Sequence, residues 1–530
     1  MRKTISWLCT LALLASCLLL FTACTGDDGT GRIFAFPLDA APRHLDPAVA
    51  QTPDELLIVN NIFEGLVRQD ADGTIIPGVA YRWELSPDGE TFVFHLRQNS
   101  HWALGTEATR LLGDAAEDFD TQVTAYDFAF ALTRALLPET NAPSAAALFS
   151  IRNARAVHAG EISPDALGIE ALGRFVLSIS LEAPSAGFLY ALTQSVAMPV
   201  HPDFFQATRG RFGLTAQHTL SNGPFYLNRW AGNLLRLRQN EGYAGHASVA
   251  PAGVNLFVQP NPASRLATFG HDGGYDAAFL PAAWEAQVPA DAELTRLYNA
   301  TLAMLFHSNQ DAYLRQALFA ALDMPALGIA PPGLLPASVR VGGDDYSALV
   351  QPPAPATSDA ARAQQLLDQS GPGRMTLTLI CLPGHDPLAR QMLQQWQQAF
   401  GLRVTVTIET IENPEELAQR VQNGNFDIAI TTLQANSSFA LQTIEDWTTG
   451  PGNFTRYASD QLSQLLDTAR AAITPLAIAQ ALRAVEFYLM QHGLILPLEP
   501  QANLLVVAPG VTGFALSPTG DRVFFGDMRK

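Results

Sequence analysis

Phe92, Phe94 and Leu96 alternate with Val93, His95 and Arg97 along TFVFHLR. A period of two with one apolar row is the mark of a β-strand that buries one face and keeps the other wetter. YRWELS, just upstream, is its antiparallel partner, because Pro87-Asp88-Gly89-Glu90 between them is a turn sequence. Pro presets φ, Asp bonds its own backbone and Gly tolerates positive φ. Asp70-Ala71-Asp72-Gly73 is a second turn of the same kind. The stretch from Asn60 to Gly105 therefore predicts a helix followed by a small antiparallel sheet.

From Ser358 the pattern alternates between the two periods. Ser358-Asp359 opens a helix that runs to Ser370 and stops at Gly371. Met375 to Cys381 is a strand, Pro387 to Phe400 an amphipathic helix ending at Gly401, and Leu402 to Thr410 a strand. Asn413-Pro414-Glu415-Glu416 caps the next helix, with Pro at its first position, and Phe426 to Leu433 is a further strand. Strands separated by helices predict a parallel sheet with right-handed crossovers. Ligands of such sheets sit beyond the carboxyl ends of strands, which singles out the loops Leu382 to Pro387 and Gln434 to Phe439. Pro331 to Pro355 lacks periodicity and reads as surface loops.

At 530 residues the chain exceeds what one hydrophobic core supports, so two or three domains are expected. A hydrophobic share of 48% with 15% charged residues excludes disorder. The net charge of −18 excludes nucleic acid as a partner. Lysine occurs only at Lys3 and Lys530, so no lysine chemistry is available in the body. No H-E-x-x-H, G-x-S-x-G, S-x-x-K, P-loop or G-x-G-x-x-G motif occurs, and the 11 histidines are scattered, so neither an enzyme nor a cofactor or metal site is expected. His271-Asp272 beside Gly273-Gly274 reads as a turn carrying a solvated charge.

Several short motifs then occur in a telling order. They are Pro42-Arg43-His44-Leu45-Asp46-Pro47, Glu64-Gly65-Leu66, the strand pair above, Val123-Thr124-Ala125-Tyr126-Asp127-Phe128, and Ser221-Asn222-Gly223-Pro224-Phe225. Gly274-Tyr275-Asp276-Ala277-Ala278, Leu314-Arg315-Gln316-Ala317-Leu318 with Ala321-Leu322-Asp323, and Leu496-Pro497-Leu498 follow. In this order the chain resembles the oligopeptide, dipeptide and nickel-type extracellular solute-binding proteins of ABC importers, family 5. Ser221-Asn222 replaces that family's Gly-Thr, and Thr106 to Thr121 is an insertion expected to form a surface loop.

The resemblance implies an α/β fold of the type II periplasmic-binding class, cluster C. Two lobes are joined by a two-strand hinge, with an extra α/β subdomain. The implied division is 1–23 signal peptide, 24–31 tether, 32–66 and 191–298 lobe I, 67–190 extra subdomain, 299–498 lobe II, and 499–530 the return to lobe I. The chain would cross between lobes near Asn299 to Asn309 and Gly493 to Pro500, letting the lobes close over a ligand.

Arg2 and Lys3, the apolar run Ile5 to Leu20, and Ala23-Cys24 before a polar tether form a lipoprotein-type signal. The resemblance implies cleavage before Cys24 and a lipid on its sulfur. Leu14-Ala15-Ser16-Cys17 fits the letters of that signal better, but a cut there leaves an apolar terminus instead of a tether. An uncleaved anchor is the other alternative, and Trp7 to Ala23 barely reaches the roughly 20 apolar residues a span requires. Removing residues 1–23 takes away two cations and no anions, leaving 30 against 50, a charge of −20. Only Cys381 then remains besides Cys24, which excludes an internal disulfide in the body.

One implied ligand wall is the segment Gln51, Thr52, Pro53 and Asp54, in which Asp54 is also a candidate cap for a helix beginning at Glu55. The other is Asn436, Ser437, Ser438 and Phe439, with Trp447 nearby. In peptide-binding relatives the second loop carries an acidic residue for the peptide's α-amine, and Asn436 stands there instead. Trp230 and Trp284 are further candidate stacking faces, while Trp396 sits at core spacing on its helix. The expected function is the lipid-anchored, monomeric solute-binding component of an ABC importer. It would capture a peptide or a similar small solute on the outer side of the membrane and hand it to permease subunits. Alternatives are a sensor or chaperone on the same fold, and an anchored hydrolase.

Overall fold

The computed structural model describes residues 31–530 apart from 186, 272–273, 330–332, 352–356, 436, 451 and 521. Cys24 and Asn436 lie outside the described residues, as does Asp272.

Buried side chains gather into cores that divide the chain. One core takes residues from Phe34 to Leu297 and again from Leu504 to Met528. Two others draw only on residues between Leu302 and Leu498. The first core is roofed by a four-stranded sheet ordered Ile33–Leu38, Gly253–Val258, Leu234–Gln239, Phe225–Ala231, parallel in its first pair and antiparallel beyond. An antiparallel sheet ordered Ala80–Leu85, Thr91–Leu96, Val176–Ser180, Ile169–Gly173 packs on the same core. Along Thr91–Leu96 the residues Phe92, Phe94 and Leu96 are buried and Val93 and His95 only half so, as the alternation predicts.

A six-stranded sheet links the lobes. Its order is Ala277–Pro281, Ile495–Val507, Glu293–Phe306, Ile428–Gln434, Met375–Cys381, Val404–Thr410. The last three strands pair in parallel, with helices Asp386–Phe400 and Pro414–Gln422 as crossovers. Glu293–Phe306 and Ile495–Val507 run antiparallel from one lobe into the other. Their ladder shifts register between Leu297 and Ala300 and again between Leu302 and Ala303. The fold is thus of the type II periplasmic-binding class, two lobes on a pair of crossing strands.

Two expectations are corrected. The insertion at Thr106 is not a bare loop: Thr106–Leu112 is a helix, followed by a 3-10 turn over Gly113–Ala116. Ala108 is buried and Leu111 and Leu112 pack on the first core, an i, i+3, i+4 stripe that gives the helix its inward face. Within the Pro-rich stretch, Arg340–Val341 and Asp344–Asp345 form a small hairpin. The Gly342-Gly343 dipeptide between them supplies positive φ at both turn positions, 63° and 93°. A short helix, Tyr346–Leu349, follows.

Candidate functional site

The lobe I side of the gap is the segment leading into helix Pro53–Ile62. Thr52 is its N-cap, in a capping box with Glu55. Asp54, the other candidate cap, instead accepts the Ala40 N–H at 2.7 Å from the first turn. Glu55 is the anchor of the segment, for its two oxygens accept the backbone N–H groups of Arg43 at 2.9 Å, Gln51 at 3.1 Å and Thr52 at 3.1 Å. Burial works against its charge, but those three donors hold its carboxyl below the ordinary value. Asp54 moves the other way. Desolvation, with Asp39 adding repulsion, lifts it to about 6 against the pull of the Ala40 N–H and Arg265.

The opposite wall belongs to lobe II: the loop after Ile428–Gln434 and the helix Ala440–Thr448. Trp447 is buried, and its Nε1 donates to the Gln434 carbonyl at 3.2 Å. Ser437 Oγ accepts the Phe439 N–H at 3.1 Å, and the Ser437 carbonyl accepts the Thr443 hydroxyl at 2.9 Å. Ser438 and Phe439 reach across instead. Ser438 Oγ donates to Gln69 Oε1 at 3.1 Å, and the Phe439 ring stacks on Tyr190 with centroids 4.5 Å apart and planes 6° apart. Lobe II therefore touches the 67–190 segment along this rim.

Behind the rim lie two adjoining cavities. The larger, about 340 Å³, is lined from lobe I by Ala50, Gln51, Asn60, Gln194 and Ser195, and from lobe II by Gln434, Ser437, Gln442, Thr443, Asp446, Trp447 and Phe454. Among its described lining residues Asp446 is the one carboxylate and Arg522 the one guanidinium. The Arg522 side chain donates to Thr193 Oγ1 at 2.9 Å. The smaller cavity, about 240 Å³, is lined by Pro53, Asp54, Leu57, Arg265, Asn299 and Asn503 among others, and Leu56 and Gln434 border both. Together they fall within the roughly 300–1,000 Å³ of small-molecule sites.

Of the residues singled out in the sequence, Gln51, Ser437 and Trp447 line the larger cavity, and Pro53 and Asp54 the smaller. Thr52 caps its helix, and Ser438 and Phe439 bind Gln69 and Tyr190 across the rim. The loop Leu382 to Pro387 lines neither cavity. Its strand lies one place farther from the crossing strands than Ile428–Gln434. Trp396 is core, its Nε1 donating to the Leu318 carbonyl at 2.8 Å, and Trp230 and Trp284 pack on the first core. The sequence reading missed Gln442, Thr443 and Asp446, although with Trp447 they share one face of the helix after the candidate loop. Gln194, Ser195 and Arg522 carried no local signal. Among the described residues no group of three or more His, Cys, Asp or Glu is placed to hold a metal, and no helix is long and apolar enough to cross a membrane.

The ordered motifs turn out to be joints. Asp46 binds Arg134 through both oxygens, at 2.8 and 2.5 Å, in the core. Thr124 and Asp127 form a capping box that also receives the Trp102 indole N–H at 3.3 Å. Asn222 exchanges hydrogen bonds of 3.0 and 2.9 Å with the backbone of Glu64. Asp276 accepts the Ala35 N–H at 2.9 Å, tying the six-stranded sheet to the roof. These contacts hold a particular architecture, which is why they occur in a particular order.

Comparison with known proteins agrees. Residues 74–455 match the model of bacterial extracellular solute-binding proteins, family 5 Middle. The chain is 26% identical to the probable deoxycholate-binding periplasmic protein YgiS of Escherichia coli (strain K12), over 94% of this chain and 93% of that one. It is likewise 26% identical to the periplasmic murein peptide-binding protein MppA of the same strain, over 92% and 91%. The fold superposes on a Haemophilus influenzae OppA complex with the peptide RPPGFSPFR with a TM-score of 0.74 at 21% identity, covering 94% of this chain and 99% of that one. With its two lobes, crossing strands and interlobe cavities, the chain belongs to the bacterial extracellular solute-binding proteins, family 5, of ABC importers.

Proposed function

We propose that this chain is the capture component of an importer, taking up a short peptide or a solute of similar chemistry in the gap between its lobes. One observation carries the reading: the 340 Å³ cavity is walled by both lobes, so its contents are enclosed only when the lobes meet. Its wall suits a peptide. The amides of Gln51, Asn60, Gln194, Gln434 and Gln442 and the hydroxyls of Ser195, Ser437 and Thr443 can serve backbone N–H and C=O groups of many sequences. Asp446 and Arg522, each already engaged within the chain, place one carboxylate and one guanidinium on the wall, and Trp447 and Phe454 give a face for an apolar side chain. Relatives named for peptides and for deoxycholate set the first ligands to try.

Capture, lobe closure and docking of the closed form on a permease make up the mechanism, with the ATPases on separate chains. Lobe I is taken as 32–66, 191–298 and 499–530, the extra subdomain as 67–190 and lobe II as 299–498. The body is held outside the membrane by a lipid on Cys24. The test is a screen of di- to pentapeptides, murein tripeptide and deoxycholate against the soluble body. A true ligand raises stability by roughly 2.7 kcal/mol at a hundredfold excess over its Kd and shrinks the radius of gyration. A screen that moves neither the melting curve nor the scattering defeats the reading. Cys24→Ala should release the chain from the membrane; release by Cys17→Ala instead would move the anchor.

A further inference from the structure

The smaller cavity differs in chemistry from the larger. Pro53, Leu57, Phe279 and Pro281 give it apolar sides, and Asp39, Asp54 and Arg265 are the charged groups on its wall. Arg265 is 2% exposed and fully engaged: its guanidinium donates to the carbonyls of Gln259 at 2.6 Å and Phe279 at 2.9 Å and pairs with Asp39. Arg265 and Asp39 therefore offset one another. What remains is the Asp54 carboxylate, 9% exposed, with the Ala40 N–H at 2.7 Å as its near hydrogen-bond donor. An apolar passage ending at a buried carboxylate is the complement of a long side chain with a cationic head.

Resting on the reading that the larger cavity holds a peptide, we propose that the smaller compartment is a specificity subsite for one arginine or lysine side chain of that peptide. The alkyl stem lies between Leu57 and Phe279, and the head pairs with Asp54. Leu56 and Gln434 border both compartments and mark the mouth through which the side chain enters. A neutral side chain in the same place would strip more water from Asp54 and return no charge, so the compartment selects by penalty as well as by attraction.

The same geometry makes the selection depend on pH. Burial and Asp39 lift Asp54 to about 6, while the Ala40 N–H and Arg265 act in the opposite sense. Below that pH the carboxyl is neutral and the attraction for a cation fades. A cation seated on it lowers its pKa, so binding near pH 6 releases a proton.

Calorimetric titration with Ala-Arg-Ala and its neutral isostere Ala-citrulline-Ala tests this. At pH 8 the arginine peptide should bind at least about tenfold tighter. The ratio should fall toward one at pH 5, and toward one at pH 8 in Asp54→Asn, whose melting curve checks that it folds. Equal binding at pH 8 overturns the subsite and leaves capture standing. A ratio that survives in Asp54→Asn also overturns it, since the preference then arises elsewhere. If neither peptide binds, the peptide reading falls and the subsite with it.

Discussion

The two walls of the gap are built on different terms. On lobe I, Glu55 gathers three backbone N–H groups of its own segment, so that wall keeps its shape whatever the other lobe does. On lobe II, Ser438 and Phe439 find their partners, Gln69 and Tyr190, on the far side. That wall is complete only when the lobes meet. Under the proposed capture, one surface serves as a template and the other is finished by closure.

Removing the Glu55 carboxylate is the strongest way to break this contrast. Glu55→Ala should cost about 3 kcal/mol, since hydrogen bonds to charged groups contribute roughly 1.5–3 kcal/mol, read as a lower urea midpoint at unchanged slope. A loss under about 1 kcal/mol would mean that the wall is not held by this residue. Because the folded carboxyl sits below its ordinary 4.5, its contribution is present above that pH and disappears as pH falls through the lower folded value. Wild type should therefore lose more stability than the variant on acidification below 4.5.

Asp54, on the same turn, should behave in the opposite sense. Its folded value of about 6 exceeds the ordinary 3.8, so the folded state binds a proton that the unfolded state has released between those values. Its ionised form thus weakens the fold progressively from pH 3.8 to about 6 and fully above. Asp54→Asn should be more stable than wild type at pH 8 by about 2 kcal/mol and no more stable at pH 3.5; equal melting temperatures at pH 8 would remove the burial argument.

Across the gap the expected effects are on binding. Phe439→Ala removes the stack that lobe II makes with Tyr190 across the rim, an aromatic pairing of about 0.5–1.5 kcal/mol beyond the area it buries. Ligand affinity should drop about tenfold, while scattering of the ligand-free protein shifts toward the open form. An unchanged affinity would show the rim contact to be incidental. Trp447→Phe keeps the ring face but loses the bond to the Gln434 carbonyl; a net cost of about 1 kcal/mol should appear as a several-fold weaker Kd, and an effect confined to melting would make Trp447 a core residue alone.

What could be read from the sequence follows the range of the interactions involved. The alternating strands and helices from Ser358 onward were legible because burial of one face imposes a period on neighbouring residues. The inserted helix at Thr106 was not, its stripe of Ala108, Leu111 and Leu112 being a single turn long. The motif order disclosed the architecture, and the bonds of Asp46, Asp127, Asn222 and Asp276 give the reason. The lining of the larger cavity obeys no such order. Gln194 and Ser195 open one 3-10 turn, Asp446 lies on the helix Ala440–Thr448 and Arg522 precedes the strand Val523–Phe524, and they meet only because the chain folds back on itself.

The six-stranded sheet passes from one half of the molecule to the other, and its crossing ladder is out of step at Leu297/Ala300 and Leu302/Ala303, where a turn of one half against the other would be taken up. Such a pivot works like a door on two pins. A bulkier guest is then met by a shallower swing of the door, and the frame around it keeps its shape.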